Sequence, residues 1–239
     1  MIILSYPTKE SIRRTGLFEN KGPVDEPTPD NFDENTIYVD LYGNVIDFQA
    51  IKESLAECVA DIRQYHKLLS EFADSVYLIP DNSIPTMQTD GLTVYYSPVF
   101  VQHLLNEGGD EMGNAYVEYI IIHELCHMML NHCYEFEHNR KLYGDHVRAN
   151  CAMDYEVNAL IENFLVQDGE LVFKGMGEKI KALYNDYYFK QGWTWTQIYP
   201  ECDPVATGQK EVPPPEWIKG FLDGYNRIYD MLQKQGKIE

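Results

Sequence analysis

The pattern of apolar and polar positions predicts a chain that begins with a helix and continues into short strands. In residues 49–73 apolar side chains recur at intervals of three and four, as one buried face of a helix requires. Residues 75–80 and 92–97 are short apolar and aromatic runs. A proline ends the first run, and an Asp-Gly turn precedes the second. These two segments are predicted to be strands.

Helical patterns dominate the second half of the chain. Helices are predicted over residues 98–105, 114–133, 146–166, 177–190 and 216–235. Before the helix predicted over residues 49–73, residues 16–36 are rich in Pro, Asp, Asn and Glu and indicate a loop or extended arm. A hairpin signal surrounds Gly43-Asn44. The order of elements predicts an α+β fold in which helices pack on a small antiparallel or mixed sheet.

We divide the chain into three parts at changes in composition. Residues 1–48 form an N-terminal arm with short strands, and residues 49–200 form the main domain. Residues 201–239 form a C-terminal extension that contains three consecutive prolines and then an amphipathic helix.

Composition and charge narrow the classes of function. The chain has 38 acidic and 19 basic residues, a formal net charge of −19, which disfavours binding to nucleic acid phosphates. Its five cysteines are widely spaced without a CxxC pair, which favours a reducing compartment. We see no signal-peptide pattern and no apolar run of about 20 residues, so a cytoplasmic protein without membrane contact is expected.

The segment "IIIHELCHMMLNH", residues 120–132, carries the strongest chemical signal. At about 100° per residue, His123 and His127 lie about 40° apart on one helix face, with Glu124 beside them. Two imidazoles one turn apart supply two nitrogen ligands for zinc, and the carboxylate can act as a base next to the metal. The segment therefore favours a zinc hydrolase over a core helix.

His132 is predicted to lie apart from this pair. In an unbroken helix it falls about 180° from His123, on the apolar side with Ile121 and Leu125. It could share a metal with the pair only if the helix broke after Leu130. We therefore predict a core histidine, or one that supports the site from behind.

A catalytic zinc keeps three protein ligands and one open position, so a third ligand is needed. The downstream candidates are His138, His146, Asp154, Glu156 and Glu162. Asp154 is favoured because it lies among apolar residues of a predicted helix, with Asn150 and Asn158 one turn to either side. A carboxylate buried there needs a metal or hydrogen bonds. An exposed Asp on a surface helix is the alternative.

Three segments in this order resemble a known family: "PTMQTDGLTVYYSPVFV", "HELCHMMLNH" and "NCAMDYEVNALI". The family is a metallopeptidase domain of bacteria and phages, usually found ahead of a von Willebrand A-like domain and similar to gluzincin-like zinc peptidases. The resemblance covers roughly residues 75–200. It implies a zincin-like fold, zinc on His123, His127 and Asp154, and Glu124 as the general base. The family usually has glycine where this chain has Asn131.

The expected function is hydrolysis of peptide bonds in a peptide or protein substrate by a zinc-dependent metallopeptidase. Further residues are expected to contact the ligands or the substrate: His132, Asn150, Asn158, Tyr134, Tyr143 and His146. A strand within "TMQTDGLTVYY" could pair with an extended peptide. A separate von Willebrand A-like protein is a candidate partner. The alternative is a non-enzymatic structural or assembly protein, for example of a phage, that retains the fold.

Overall fold

The computed structural model of the protein describes residues 45–167, 170–180 and 182–202. The elements within these residues are α1 Phe48–Tyr65, α2 Lys67–Ser75, β1 Tyr77–Pro80, β2 Met87–Thr89, β3 Thr93–Tyr96, α3 Pro98–Met129, α4 His132–Asn139, α5 His146–Phe164, β4 Val166–Gln167, β5 Glu170–Leu171, α6 Met176–Ile180, α7 Asp186–Gln191 and α8 Trp195–Ile198. The predicted arm, the Gly43-Asn44 hairpin and the helix over 216–235 lie outside the described residues.

The fold is α+β and mostly helical, with a small mixed sheet of three strands in the order β1-β3-β2. Strand β1 runs parallel to β3, with Leu78 opposite Val94, and β2 runs antiparallel to β3, with Gln88 opposite Tyr95. The predicted class and the mixed sheet are confirmed. Strand β2 pairs on one side only among the described residues, so it forms an edge of the sheet.

Two clusters of buried side chains form the core. The larger cluster joins α1, the sheet and α3, whose Ile120, Ile121 and Ile122 are all fully buried. The smaller cluster is partly aromatic and includes Phe136 of α4 and Trp195 of α8. Helix α5 contributes to both clusters, so the residues between its two apolar stretches lie where the clusters meet.

The predicted helix over residues 49–73 is observed as two helices. His66 interrupts it with φ −113° and ψ 74°, and its own amide still donates to Ile62. The buried His66 ring packs on Phe173 and lies 3.6 Å from a carboxylate oxygen of Glu118. These partners are distant in sequence, so helical periodicity alone did not reveal the break.

Helix α3 joins the two helices predicted over 98–105 and 114–133. A kink divides it at Gly109, whose φ of 58° and ψ of −161° are accessible mainly to glycine. The helical piece predicted over 177–190 is instead two short helices, α6 and α7. None of the described helices combines the length and the apolar composition that crossing a membrane requires.

The helix that carries the histidine motif ends earlier than predicted. Helix α3 stops at Met129, and Asn131 adopts the left-handed conformation, with φ 58° and ψ 31°. Helix α4 then begins at His132. Among the described residues, Asn131 is the single non-glycine residue with positive φ, and asparagine tolerates this conformation better than most residues. The prediction of an unbroken helix as far as residue 133 was wrong.

Candidate metal centre

Helices α3 and α5 bring three ligand atoms together at the boundary of the two core clusters. His123 Nε2 lies 3.0 Å from His127 Nε2 and 3.5 Å from Asp154 Oδ1, and His127 Nε2 lies 3.4 Å from Asp154 Oδ1. A tetrahedral ion with ligands at about 2.0–2.1 Å separates those ligands by about 3.3 Å. The triangle therefore has the size of one face of such a site, and these residues could hold a metal ion.

The three side chains are almost completely buried, each with about 1% of its surface exposed. Burial raises the pKa of Asp154, but the two imidazoles that face it outweigh burial and place the pKa below its ordinary value. Burial lowers the pKa of His123, but Asp154 and Glu124 outweigh burial and raise it. The environment thus favours an ionised Asp154 carboxylate and a positive charge between the three side chains.

Asn158 fixes the orientation of the His123 ring. Its Oδ1 lies 2.9 Å from His123 Nδ1, and the Tyr119 hydroxyl donates to the same oxygen over 3.1 Å. Asn158 Nδ2 donates to the carbonyl oxygen of Leu183, which sets the orientation of the amide. Because Oδ1 only accepts, His123 Nδ1 carries the proton, and Nε2 is left to face the triangle.

His127 is supported differently, by His132. The two Nδ1 atoms lie 2.9 Å apart, and His132 Nε2 lies 3.4 Å from Glu156 Oε2. The left-handed turn at Asn131 brings His132 back toward the motif, whereas an unbroken helix would carry it to the apolar side. His132 is buried as predicted, but its predicted position on the far face was wrong.

Asp154 is buried, so the alternative of an exposed Asp on a surface helix is wrong. Asn150 Nδ2 donates to Asp154 Oδ2 over 3.3 Å, which leaves Oδ1 facing the two imidazoles. Both amides that flank Asp154 at one helical turn therefore contact this centre, Asn150 through the carboxylate and Asn158 through His123.

Glu124 is completely buried next to His123, and among the described residues its carboxylate oxygens make no hydrogen bond of ordinary geometry. Burial raises the pKa of Glu124 to about 8, and the negative charge of Asp154 adds to this effect. The Thr89 backbone is close enough to lower the pKa of Glu124, but this is the smallest of the influences on it. A buried carboxylate without an ordinary hydrogen bond is costly for a structural residue. A cation held by the triangle would favour its charged form.

The other predicted residues have contacts of their own. The Tyr134 ring is 59% exposed and stacks on His138, and the Tyr143 ring packs against Trp195. Glu162 accepts from two backbone amides of the segment around α6. The side chain of His146, the first residue of α5, lies outside the described part of the structure. Substrate contacts by Tyr134, Tyr143 and His146 stay predictions.

Sequence reasoning missed two supporting residues. Tyr119 lies one helical turn before His123, a spacing that could have indicated a polar contact beneath the motif. Glu156 was considered only as a metal ligand, whereas it faces His132. The contact between His132 and Glu156 depends on the turn at Asn131, which has no strong sequence signal beyond the asparagine itself.

A buried triangle of two imidazoles and a carboxylate, with a buried glutamate beside it, defines this α+β domain as a candidate metal-dependent hydrolase. The family model described as "Putative metallopeptidase domain" matches residues 51–210, and the chain belongs to this family. The resemblance seen in the sequence is thereby confirmed. No match was found among curated proteins or among solved structures.

Proposed function

We propose that the protein is a zinc-dependent metallopeptidase with a zincin-like fold, which hydrolyses peptide bonds. The observation that carries the proposal is the triangle of His123 Nε2, His127 Nε2 and Asp154 Oδ1, with sides of 3.0–3.5 Å. Glu124, on the same helix as the two histidines, supplies the general base that hydrolysis needs.

The donor set favours a transition metal, and the Glu124 carboxylate beside it favours zinc over iron(II), which the same donors also bind. Two imidazole nitrogens and one carboxylate oxygen are typical ligands of catalytic zinc, whereas magnesium and calcium prefer oxygen ligands. Three protein ligands leave one of the four tetrahedral positions open, as a hydrolytic site requires. The supported Nδ1 atoms of His123 and His127 leave both Nε2 atoms for the metal.

In the proposed mechanism, a bound zinc ion would supply Lewis-acid chemistry, acidifying the attacking water and polarising the carbonyl group of the substrate. Glu124 takes the proton of the attacking water and passes it to the leaving amine. Asp154 supplies a negative charge to the buried site, and the two histidines act as neutral ligands. Burial raises the pKa of Glu124, and a cation held by the triangle would favour the charged form that a general base needs.

An extended peptide is the proposed substrate. Strand β2 is an edge strand among the described residues, and the backbone of its last residue, Thr89, interacts with the Glu124 carboxylate. A peptide that added a strand there would run beside the proposed base. A separate von Willebrand A-like protein remains a proposed partner, by analogy with the family's usual arrangement.

The test is metal analysis combined with cleavage of a proteome-derived peptide library, followed by mass spectrometry. Wild type should bind one zinc ion per chain and cleave peptides in a chelator-sensitive way. Glu124→Gln should retain the zinc and lose about 100- to 10,000-fold in cleavage rate. Glu111→Gln, at an exposed position of the same helix, is the matched control and should behave as wild type.

Two results would contradict the proposal in different ways. A pure wild-type protein that binds no metal would remove its foundation. A protein that binds zinc but cleaves nothing, or that cleaves equally well as Glu124→Gln, would favour the structural or assembly role instead.

A further inference from the structure

We propose that His132 and Glu156 form a positioning pair, which holds the His127 ring with its Nε2 atom toward the metal. The proposal rests on zinc binding as proposed above, but not on peptidase activity. The observation behind it is a continuous, mostly buried chain of polar groups that begins at the metal triangle and ends at a backbone amide of α8.

The chain of contacts has three steps. His127 Nδ1 lies 2.9 Å from His132 Nδ1, and His132 Nε2 lies 3.4 Å from Glu156 Oε2. Glu156 Oε2 also accepts a hydrogen bond of 2.7 Å from the backbone amide of Trp195. The His132 side chain is 2% exposed and that of Glu156 is 19% exposed, so water competes little for these contacts.

The carboxylate at the end of the chain determines where the protons lie. Glu156 is an acceptor when ionised, so the His132 nitrogen that faces it is the protonated one, Nε2. Neutral His132 then presents a bare Nδ1, which accepts the proton of His127 Nδ1. His127 Nε2 is thereby left unprotonated, facing His123 Nε2 and Asp154 Oδ1, as a metal ligand must be.

The reverse arrangement places two unfavourable contacts in the same buried space. If His132 Nδ1 carried the proton, His132 Nε2 would turn a lone pair toward the Glu156 carboxylate. His127 would then carry its own proton on Nε2, inside the metal triangle. Glu156 therefore selects the tautomer of a histidine that it does not touch.

The pair also connects the metal centre to α8. Helix α8 begins at Trp195 and has a capping box formed by Thr194 and Gln197, which holds the Trp195 amide in place for Glu156. In many metal sites a carboxylate accepts directly from the ligand histidine. Here an imidazole stands between the two, because the turn at Asn131 places His132 in the intervening position.

Matched substitutions at residue 132 separate the hydrogen bond from the volume of the ring. In His132→Asn the amide oxygen can occupy the place of Nδ1 and accept from His127, as Asn158 does for His123. His132→Leu has a similar shape without an acceptor. Glu156→Gln retains an oxygen for the Trp195 amide and removes only the charge.

The first readout is zinc affinity of the full chain, measured by competition with a chromophoric chelator. His132→Leu should bind zinc about 10- to 100-fold more weakly than wild type, the usual effect of removing a partner of a ligand. His132→Asn should recover most of that loss. A purely structural role of His132 would lower zinc affinity equally in both variants. The thermal midpoints of the two metal-free variants serve as the control for folding.

The second readout is the tautomer of His127, measured by long-range proton–nitrogen NMR on histidine-labelled, metal-free protein. Wild type and His132→Asn should carry the proton on Nδ1, and Glu156→Gln should carry less of it there. A wild-type His127 protonated on Nε2, or unchanged zinc affinity in His132→Leu, would overturn the proposal. A protein that binds no zinc overturns this proposal and the proposed function together, whereas zinc binding without peptide cleavage overturns only the peptidase.

Discussion

The two histidines of the metal triangle lie one helical turn apart, yet the regions that support them differ in chemistry. On the first side, Asn158 holds His123 through a neutral amide, which the Leu183 carbonyl oxygen orients in turn. On the second side, His127 meets an imidazole and then a carboxylate. The group that meets the ligand ring is an amide on one side, and an imidazole backed by a carboxylate on the other.

This difference shows how one turn of helix α3 can present two equivalent ligand atoms that are held by different kinds of side chain. The amide on the first side lies on α5, four residues from Asp154, so one regular helix positions both. The second side depends on a left-handed residue, Asn131, and on the helix that starts after it. We therefore expect the second side to be more sensitive than the first to changes in local backbone geometry.

Asp154 belongs to both sides, so Asp154→Ala should have the largest effect. Loss of one of three protein ligands removes about a third of a zinc binding free energy of about 10–16 kcal/mol, or roughly 1,000-fold in affinity. Competition with a chelator measures this loss. Asp110→Ala, at an exposed position of α3, is the control. A loss below tenfold would mean that Asp154 is not a ligand.

Asn158 tests the amide side alone. Asn158→Leu removes the acceptor from His123 Nδ1 and should weaken zinc binding about 10- to 100-fold. Asn158→Asp retains an acceptor oxygen and should bind zinc more tightly than the leucine variant, although it loses the donor to Leu183. Equal affinities of the two variants would show that volume, and not the hydrogen bond, supports His123.

Acidification tests which side holds a proton in the metal-free protein. The pKa of His123 is raised, whereas burial and the neighbouring histidines lower that of His127 to about 3. Zinc therefore displaces a proton from His123 wherever the pH lies below that raised pKa. Affinity should fall about tenfold for each unit of pH below it, as chelator competition across a pH series can measure. A pH-independent affinity between pH 5 and 7 would contradict this assignment.

Asn131 tests the turn behind the second side, with the smallest expected effect. Asn131→Gly should lie within about 0.5 kcal/mol of wild type in free energy of unfolding, because glycine accepts positive φ without cost. Asn131→Ala should destabilise the metal-free protein by about 1–2 kcal/mol. Urea unfolding measures both. Asn139→Gly, at the last residue of helix α4, should destabilise instead, because it removes the hydrogen bonds from Asn139 Nδ2 to Glu135. An Asn131→Ala variant as stable as wild type would argue against the left-handed turn.

The same contrast explains how much could be predicted from the sequence. The α+β class, the helical face of His123 and His127, and the stripe that includes Asn150, Asp154 and Asn158 follow from periodicity, and the structure shows these residues together. Periodicity describes regular helices, and the amide side consists of two of them.

The second side could not be predicted in this way, because it depends on departures from regularity. The turn at Asn131 reverses the direction of His132, and a helical angle calculated through that turn is meaningless. The break at His66 arises from contacts with Glu118 and Phe173, which lie far away in sequence. Strand β2 is three residues long and carries too few positions to show an alternation.

The central claim is that His123, His127 and Asp154 bind one zinc ion. X-ray absorption at the zinc edge, on the purified full chain loaded with one equivalent of zinc, tests it most directly. The account predicts only nitrogen and oxygen ligands at about 2.0–2.2 Å, with the scattering pattern of two imidazoles. A sulfur ligand at about 2.3 Å, or a site with fewer than two imidazoles, would contradict it.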